Sequence, residues 1–176
     1  MLIFIGSDHA GFHHKEKLIG YLEELGHEVV DKGPYKLKED DDYVDFAVEV
    51  AQAVADFPEE NRGIIIGGSG QGEAIVSNRF PGIRAMVFYG PRVAEEAVDI
   101  SGKKSEDPFE PIRLAREHNN ANILSLGARF VTLEEARQAA KLFLETPFSN
   151  ERRHKRRVEK IDNLDASHGS EETWLK

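Results

Sequence analysis

The sequence predicts an α/β protein: a parallel sheet of about five strands with helices on both faces, followed by a C-terminal helical extension. Short aliphatic runs alternate along the chain with longer stretches whose apolar residues recur at helical spacing, the pattern of successive strand–helix–strand units. One run, Ile64-Ile65-Ile66, has no polar alternation, as a central strand covered on both faces requires. Glycine-rich turns stand where strands would hand over to helices.

Taken in order, Leu2–Gly6 is a strand stopped by Gly6-Ser7-Asp8. A helix over about His13–Leu25 carries Leu18, Ile19, Leu22 and Leu25 on one face and stops at Gly26. Glu28–Asp31 is the second strand, Lys32–Asp42 a polar loop, and Val44–Asp56 a helix burying Phe46, Val50, Ala51 and Val54. Gly63–Gly67 is the third strand, and the loop Gly67–Gly72 leads into a short helix with Glu73, Ile75 and Val76. After the turn Phe80-Pro81-Gly82, Arg84–Tyr89 is the fourth strand. A helical stretch is expected near Arg92–Val98, then a polar loop, Asp99–Glu110, and a helix ending at Asn119. Ile123–Leu126 is the fifth strand, and Thr132-Leu133-Glu134-Glu135 has the spacing of a capping box opening a helix that ends near Pro147. A basic helix covers about Ser149–Asn163, and residues 164–176 lack periodicity and are expected to form a flexible tail. The expected division is therefore a 1–148 α/β domain, a 149–163 basic helix expected to pack on a partner subunit, and a 164–176 tail.

At 176 residues the chain fits one domain with a core of its own. No apolar run approaches the roughly 18 residues of a membrane span, and the start, MLIFIGSDHAG, lacks the basic region and apolar length of a signal. A cytoplasmic location is expected, with no membrane partner. The absence of cysteine excludes disulfides, thiolate metal sites and thiol catalysis. A net charge of −9 argues against a nucleic-acid partner. Against that trend, Arg152, Arg153, His154, Lys155, Arg156 and Arg157 are consecutive, either a solvated helix face or a local anion site.

In parallel sheets of this kind ligands bind beyond the carboxyl ends of the strands. That places Ser7–Gly11, Gly67–Glu73, Tyr89–Gly90 and Gly127–Arg129 along one edge. The segment Gly67-Gly68-Ser69-Gly70-Gln71-Gly72-Glu73 lets the backbone turn sharply and aim several N–H groups inward at the start of a helix, where negative charge is favoured. It is neither a Walker loop nor a dinucleotide fingerprint, since it lacks the lysine of the first and the ribose-binding acid of the second. Glu73 is either a good helix-starting residue or a base beside an oxyanion nest, the pairing that proton abstraction next to a carbonyl requires. Asp8 could orient His9 toward a hydroxyl or phosphate, or the two could form a structural hydrogen bond. His118 and Asn119, at a helix end before the fifth strand, could act as caps or as ligands, and Arg129 places a guanidinium on the active edge.

Seven segments in order resemble the ribose-5-phosphate isomerase B family, which includes the galactose-6-phosphate isomerase subunits. They are Ser7-Asp8-His9-Ala10-Gly11; Asp42-Tyr43 with Asp45-Phe46-Ala47; Gly67–Glu73 with Asn78; Pro81-Gly82-Ile83-Arg84; His118-Asn119-Asn120-Ala121; Gly127-Ala128-Arg129; and Arg153-His154 with Arg157-Val158. The resemblance spans about residues 1–162. It implies a Rossmann-like sheet, a homodimer or dimer of dimers with active sites between subunits, and a small phosphorylated sugar as substrate. It implies no cofactor and no metal. Glycine at Gly67 and glutamate at Glu73 match the branch of the family that uses a glutamate base instead of a cysteine.

By that resemblance Glu73 moves the proton between C2 and C1 through a cis-enediolate, and His118 with Asp8 assists opening of the sugar ring. The N–H groups of Gly68, Gly70, Gln71 and Gly72, with the Ser69 hydroxyl, would stabilise the enediolate oxygen. Arg129, Arg153, His154 and Arg157 would hold the phosphate, and His9, Tyr43 and Asn119 would contact the sugar. The alternatives are an isomerase of another sugar phosphate, with four or six carbons, and a non-catalytic sugar-phosphate sensor. Three departures from the family pattern stand out: Val44 in place of proline, Arg79 in place of lysine, and extra length around Asp99–Glu110.

Overall fold

In the computed structural model, which describes residues 1–164, five strands form one all-parallel sheet. The elements are β1 (Leu2–Ser7), α1 (Phe12–Glu24), β2 (Glu28–Asp31), α2 (Tyr43–Ala55), β3 (Arg62–Gly67), α3 (Gln71–Ser77), β4 (Ala85–Phe88), α4 (Glu110–Asn119), β5 (Ile123–Gly127), α5 (Leu133–Glu145) and α6 (Arg152–Asp162). The sheet order is β2-β1-β3-β5-β4, so the isoleucine-rich β3 is the central strand, as its unbroken apolar run requires. Its register aligns Gly67 with Gly127 of β5 and Ile66 with Ser7 of β1, which brings three strand ends to one level.

Alternation along the strands divides the core in two. Ile3, Ile5, Ile64, Ile66, Leu124 and Leu126 pack with Leu18 and Leu22 of α1, Ile112 of α4 and Ala136, Ala139, Ala140 and Phe143 of α5. Ile65 and Ile123 pack with Ala47, Val50, Ala51 and Val54 of α2. The capping box is present: the Thr132 hydroxyl accepts the Glu135 N–H, and the Glu135 carboxylate accepts the Thr132 N–H. At the edge of the sheet Asn78 pairs with β4 through its side chain, accepting the Ala85 N–H at 2.7 Å and donating to the Ala85 carbonyl at 3.0 Å.

Two expectations are corrected. Residues 92–98 form no helix. Val93 and Ala97 are exposed, as are Arg92 and Glu95, whose side chains form an ion pair, so the apolar residues of the segment are not docked on the core, and a helix this short does not hold without docking. Phe46 is only partly buried and covers the turn at Gly33, where a Cβ would lie 3.3 Å from its ring, while Ala47 takes the fully buried position. Helix α6 docks on α4 within the chain, burying His154 and Val158, and its Asp162 pairs with the buried Arg84 at 2.9 Å. The expected tail lies, from residue 165 on, outside the described residues. No helix among the described residues is long and apolar enough to cross a membrane.

Candidate active site

Strand β3 ends at Gly67, and the chain reverses through Gly70, which sits at φ +75°, before α3 begins. Neighbouring segments stitch this loop in place. Ser125 donates to the Gly70 carbonyl at 2.6 Å, Ala128 to Gly67 at 2.8 Å and Arg129 to Gly68 at 3.2 Å. Glu73, the third residue of α3, is 3% exposed, and its carboxylate folds back onto Gly67. A Cβ at Gly67 would fall 1.5 Å from Glu73 Oε1, so the glycine is the space the carboxylate occupies. Burial raises the Glu73 pKa, with the negative charge of Asp8 adding to it and the residue's own N–H pulling the other way. A partly desolvated carboxylate beside glycine-rich backbone has the properties of a positioned general base.

The flanking residues converge on the same edge. The Tyr43 ring lies over Gly72, where a Cβ would come within 2.6 Å of it, and the Arg129 guanidinium lies over Gly68 at 3.2 Å from the equivalent position. Val44 supplies an N–H that proline lacks, and Asp42 caps α2 by accepting it at 3.0 Å. Asp8 is held by its N–H to the Ile66 carbonyl at 3.1 Å and accepts the Gly11 N–H at 3.0 Å. Gly11 is obligatory there, since a Cβ would approach the Ile66 oxygen to 2.2 Å.

Asp41, not Asp8, orients His9. Its Oδ1 accepts the His9 N–H at 3.1 Å and lies 2.8 Å from Nδ1, with the Asp41 side chain 6% exposed and that of His9 34%. The hydrogen bond to Asp41 raises the His9 pKa, the charges of Asp8 and Asp41 add to the effect, and burial and Arg129 oppose it. Nothing in the run Glu39-Asp40-Asp41-Asp42 singles Asp41 out.

The remaining predicted residues gather elsewhere. Helix α4 ends at Asn119, just ahead of β5, so the topology places His118 at the amino-terminal edge of the sheet, opposite Glu73. There the His118 and His154 rings stand 4.2 Å apart, and Ser149 Oγ lies 2.7 Å from His154 Nδ1. Burial lowers the His154 pKa, with the nearby His118, Arg153 and Arg157 adding to it. A cavity of about 310 Å³ is lined by His118, Arg153, His154 and Arg157 and by 97–100 of the β4–α4 connection. Asn119 is exposed and lines an adjoining groove with Asn78, Arg84 and Ile161. One chain thus presents two separate half-sets. Asp8, His9, Tyr43, Gly68, Ser69, Gly70, Gln71, Gly72, Glu73 and Arg129 stand at one edge of the sheet, and His118, Asn119, Arg153, His154 and Arg157 at the other.

Comparison with known proteins shows the family to which the chain belongs. Ribose-5-phosphate isomerase B of Mycolicibacterium paratuberculosis is 36% identical over 168 residues, 96% of this chain and 94% of that protein. The Escherichia coli protein of the same name is 37% identical over 163 residues, 93% of this chain and 95% of its own. Among solved structures, ribose-5-phosphate isomerase B from Mycoplasma genitalium with bound ribulose-5-phosphate superposes with a TM-score of 0.81 at 33% identity, covering 94% of this chain and 97% of that one. The family model described as Ribose/Galactose Isomerase matches residues 3–102 and 109–161, passing over only a short piece of the β4–α4 connection. With its sheet, its glycine-rich loop and both half-sets inside those matches, the chain belongs to the ribose/galactose isomerase family.

Proposed function

We propose that this protein interconverts ribose 5-phosphate and ribulose 5-phosphate, working in the cytoplasm as a homodimer or dimer of dimers whose active sites lie between subunits. The observation that carries the reading is Glu73, buried against Gly67 at the mouth of the glycine-rich loop. The curated relatives carry the matching name, and the Mycoplasma genitalium neighbour holds ribulose-5-phosphate. In this reading Glu73 of one subunit faces His118 and the α6 arginines of another, which unites the half-sets that a single chain keeps apart. The 149–163 segment then serves two purposes, docking on α4 and presenting Arg153 and Arg157 across the interface.

Arg129, Arg153, His154 and Arg157 bind the phosphate and supply binding energy remote from the reacting carbons. His118, aided by Asp8, transfers protons as the furanose ring opens. Glu73 takes the C2 proton of the aldose, and the C–H electron pair becomes the C1=C2 bond of a cis-enediolate. The carbonyl electron pair of C1 moves to O1, the O2–H proton passes to O1, and Glu73 returns its proton to C1 as the carbonyl forms at C2, so the substrate is both oxidised and reduced within itself and no external oxidant takes part. The N–H groups from Gly68 to Gly72, with Ser69, stabilise the enediolate oxygen, and His9, Tyr43 and Asn119 position the sugar.

Replacing Glu73 by Gln tests this reading. Turnover of ribose 5-phosphate should fall about 10²–10⁴-fold while ribose 5-phosphate still binds. Near-normal turnover in the variant rejects the assignment.

A further inference from the structure

Strand β4 and helix α4 are joined by a connection running from Tyr89 to Phe109, far longer than such links usually are. It is built rather than loose. Its outgoing and returning limbs are bonded by Arg92 N–H to Pro108 O at 2.7 Å and by Val98 N–H to Lys103 O at 2.8 Å. The base is fastened by Arg113 to Asp107 at 2.9 Å and by Ser105 to Glu110 at 2.9 Å. At the tip, the Asp99 carboxylate accepts from the Ser101 hydroxyl at 2.6 Å and from the N–H groups of Ser101 and Lys103 at 2.8 and 3.2 Å. The tip, 97–100, forms one wall of the cavity whose other walls are His118, Arg153, His154 and Arg157.

Arg153 is paired with Glu151 at 2.8 Å, and Asp99, without an ion pair of its own to either guanidinium, places a second negative charge in the wall of the cavity that Arg153 and Arg157 line. It lowers the positive potential that an incoming dianion meets, and the effect is screened by salt because the site is open to water. The charge of Arg153 in turn helps to keep the Asp99 carboxyl below the usual carboxylate range, after the larger contribution of the Ser101 hydroxyl.

We propose that Asp99 is a specificity-determining residue of this pocket: it weakens the hold of the arginines on free phosphate, so that a ligand must bring further contacts with its phosphate to bind well. The proposal rests on the reading of Arg153 and Arg157 as phosphate ligands. Asp99 itself touches no reacting atom.

The test is calorimetric binding of inorganic phosphate to the full-length protein at low ionic strength. Asp99→Asn keeps an oxygen for Ser101 and Lys103 and removes the charge, and it should bind inorganic phosphate about three- to ten-fold more tightly, with the gain shrinking in molar inert salt. Asp99→Glu, which keeps the charge, should bind as the native protein does. Unchanged or weaker binding by Asp99→Asn overturns the proposal, and so does equal tightening by both variants, which would indicate a loosened loop instead of a lost charge. Arg157→Ala separates the two levels. If it weakens phosphate binding while Asp99→Asn leaves it unchanged, only the role of Asp99 falls. If Arg157→Ala has no effect, the phosphate reading falls and the proposal with it.

Discussion

Glu73 and Gly67 occupy one space between them: the carboxylate lies where a side chain at Gly67 would begin. Gly67→Ala therefore cannot coexist with the present Glu73 conformation. Because the strand above it is held by its ladder to β1 and β5, the carboxylate is the group that must move. The expected result is a folded protein whose kcat falls to a similar extent as in Glu73→Gln, about 10²-fold or more. Circular dichroism alongside kinetics checks it, and a fully active Gly67→Ala variant contradicts it.

The raised Glu73 pKa predicts the acid limb of the rate profile. The base works ionised, so kcat should decline as pH falls through a value above the roughly 4.3 of a free glutamate. Burial is the main cause and Asp8 a lesser one, so Asp8→Asn should move the limb of its residual activity only part of the way back toward lower pH. Profiles of kcat against pH for the two proteins measure the displacement.

Asp41 should keep His9 protonated to a higher pH than a free imidazole. The groups acting on the ring are Asp41, Asp8 and Arg129, and the first two outweigh the third. Asp41→Asn should lower the His9 titration midpoint seen by NMR. A folded-state value above the unfolded one stabilises fully below about pH 6.5 and loses that contribution as pH rises through the folded value. The variant should therefore lose more melting temperature at pH 5.5 than at pH 9, and a loss equal at both would point to packing alone.

Separation of the half-sets predicts complementation. In the proposed dimer, Glu73→Gln and Arg157→Ala are each inactive or nearly so, yet a hybrid of the two keeps one site with neither substitution. Denaturing and refolding an equal mixture should restore about a quarter of native activity, since half the dimers are hybrids with one intact site of two. Recovery no greater than the sum of the separate variants would place both residues in the same subunit's site.

The fold was legible in detail wherever local chemistry decides the structure. Glu28–Asp31 is a strand, and Thr132 with Glu135 forms its capping box, because periodicity and spacing act within a few residues. Residues 92–98 have the composition and spacing of a helix, but the fold leaves Val93 and Ala97 exposed instead of giving them a surface to dock on, and nothing in local propensity reveals that. The carboxyl edge of the sheet followed from the alternation of strands and helices, which makes the strands parallel, so Glu73 and Arg129 could be read onto one edge. Asp41 could not be read. Which of four successive acids turns toward a histidine more than thirty positions away depends on how the loop after β2 closes over β1, a tertiary fact. The same limit applies to the Asp99 tip, whose place in one cavity with Arg153 depends on the path of a long connection.

The side chain of Asn78 has a consequence for how these molecules can associate. By meeting both the N–H and the carbonyl of Ala85, one amide imitates the first rung of a neighbouring strand and seals the start of β4, one of the two border strands of the sheet. A strand from another molecule finds that first position already taken, which helps to guard a short, partly buried edge against the stacking that leads to aggregates. At that position a contact between copies has to be made by side chains, whose shapes are particular to this protein, instead of by bare backbone, which any chain can match.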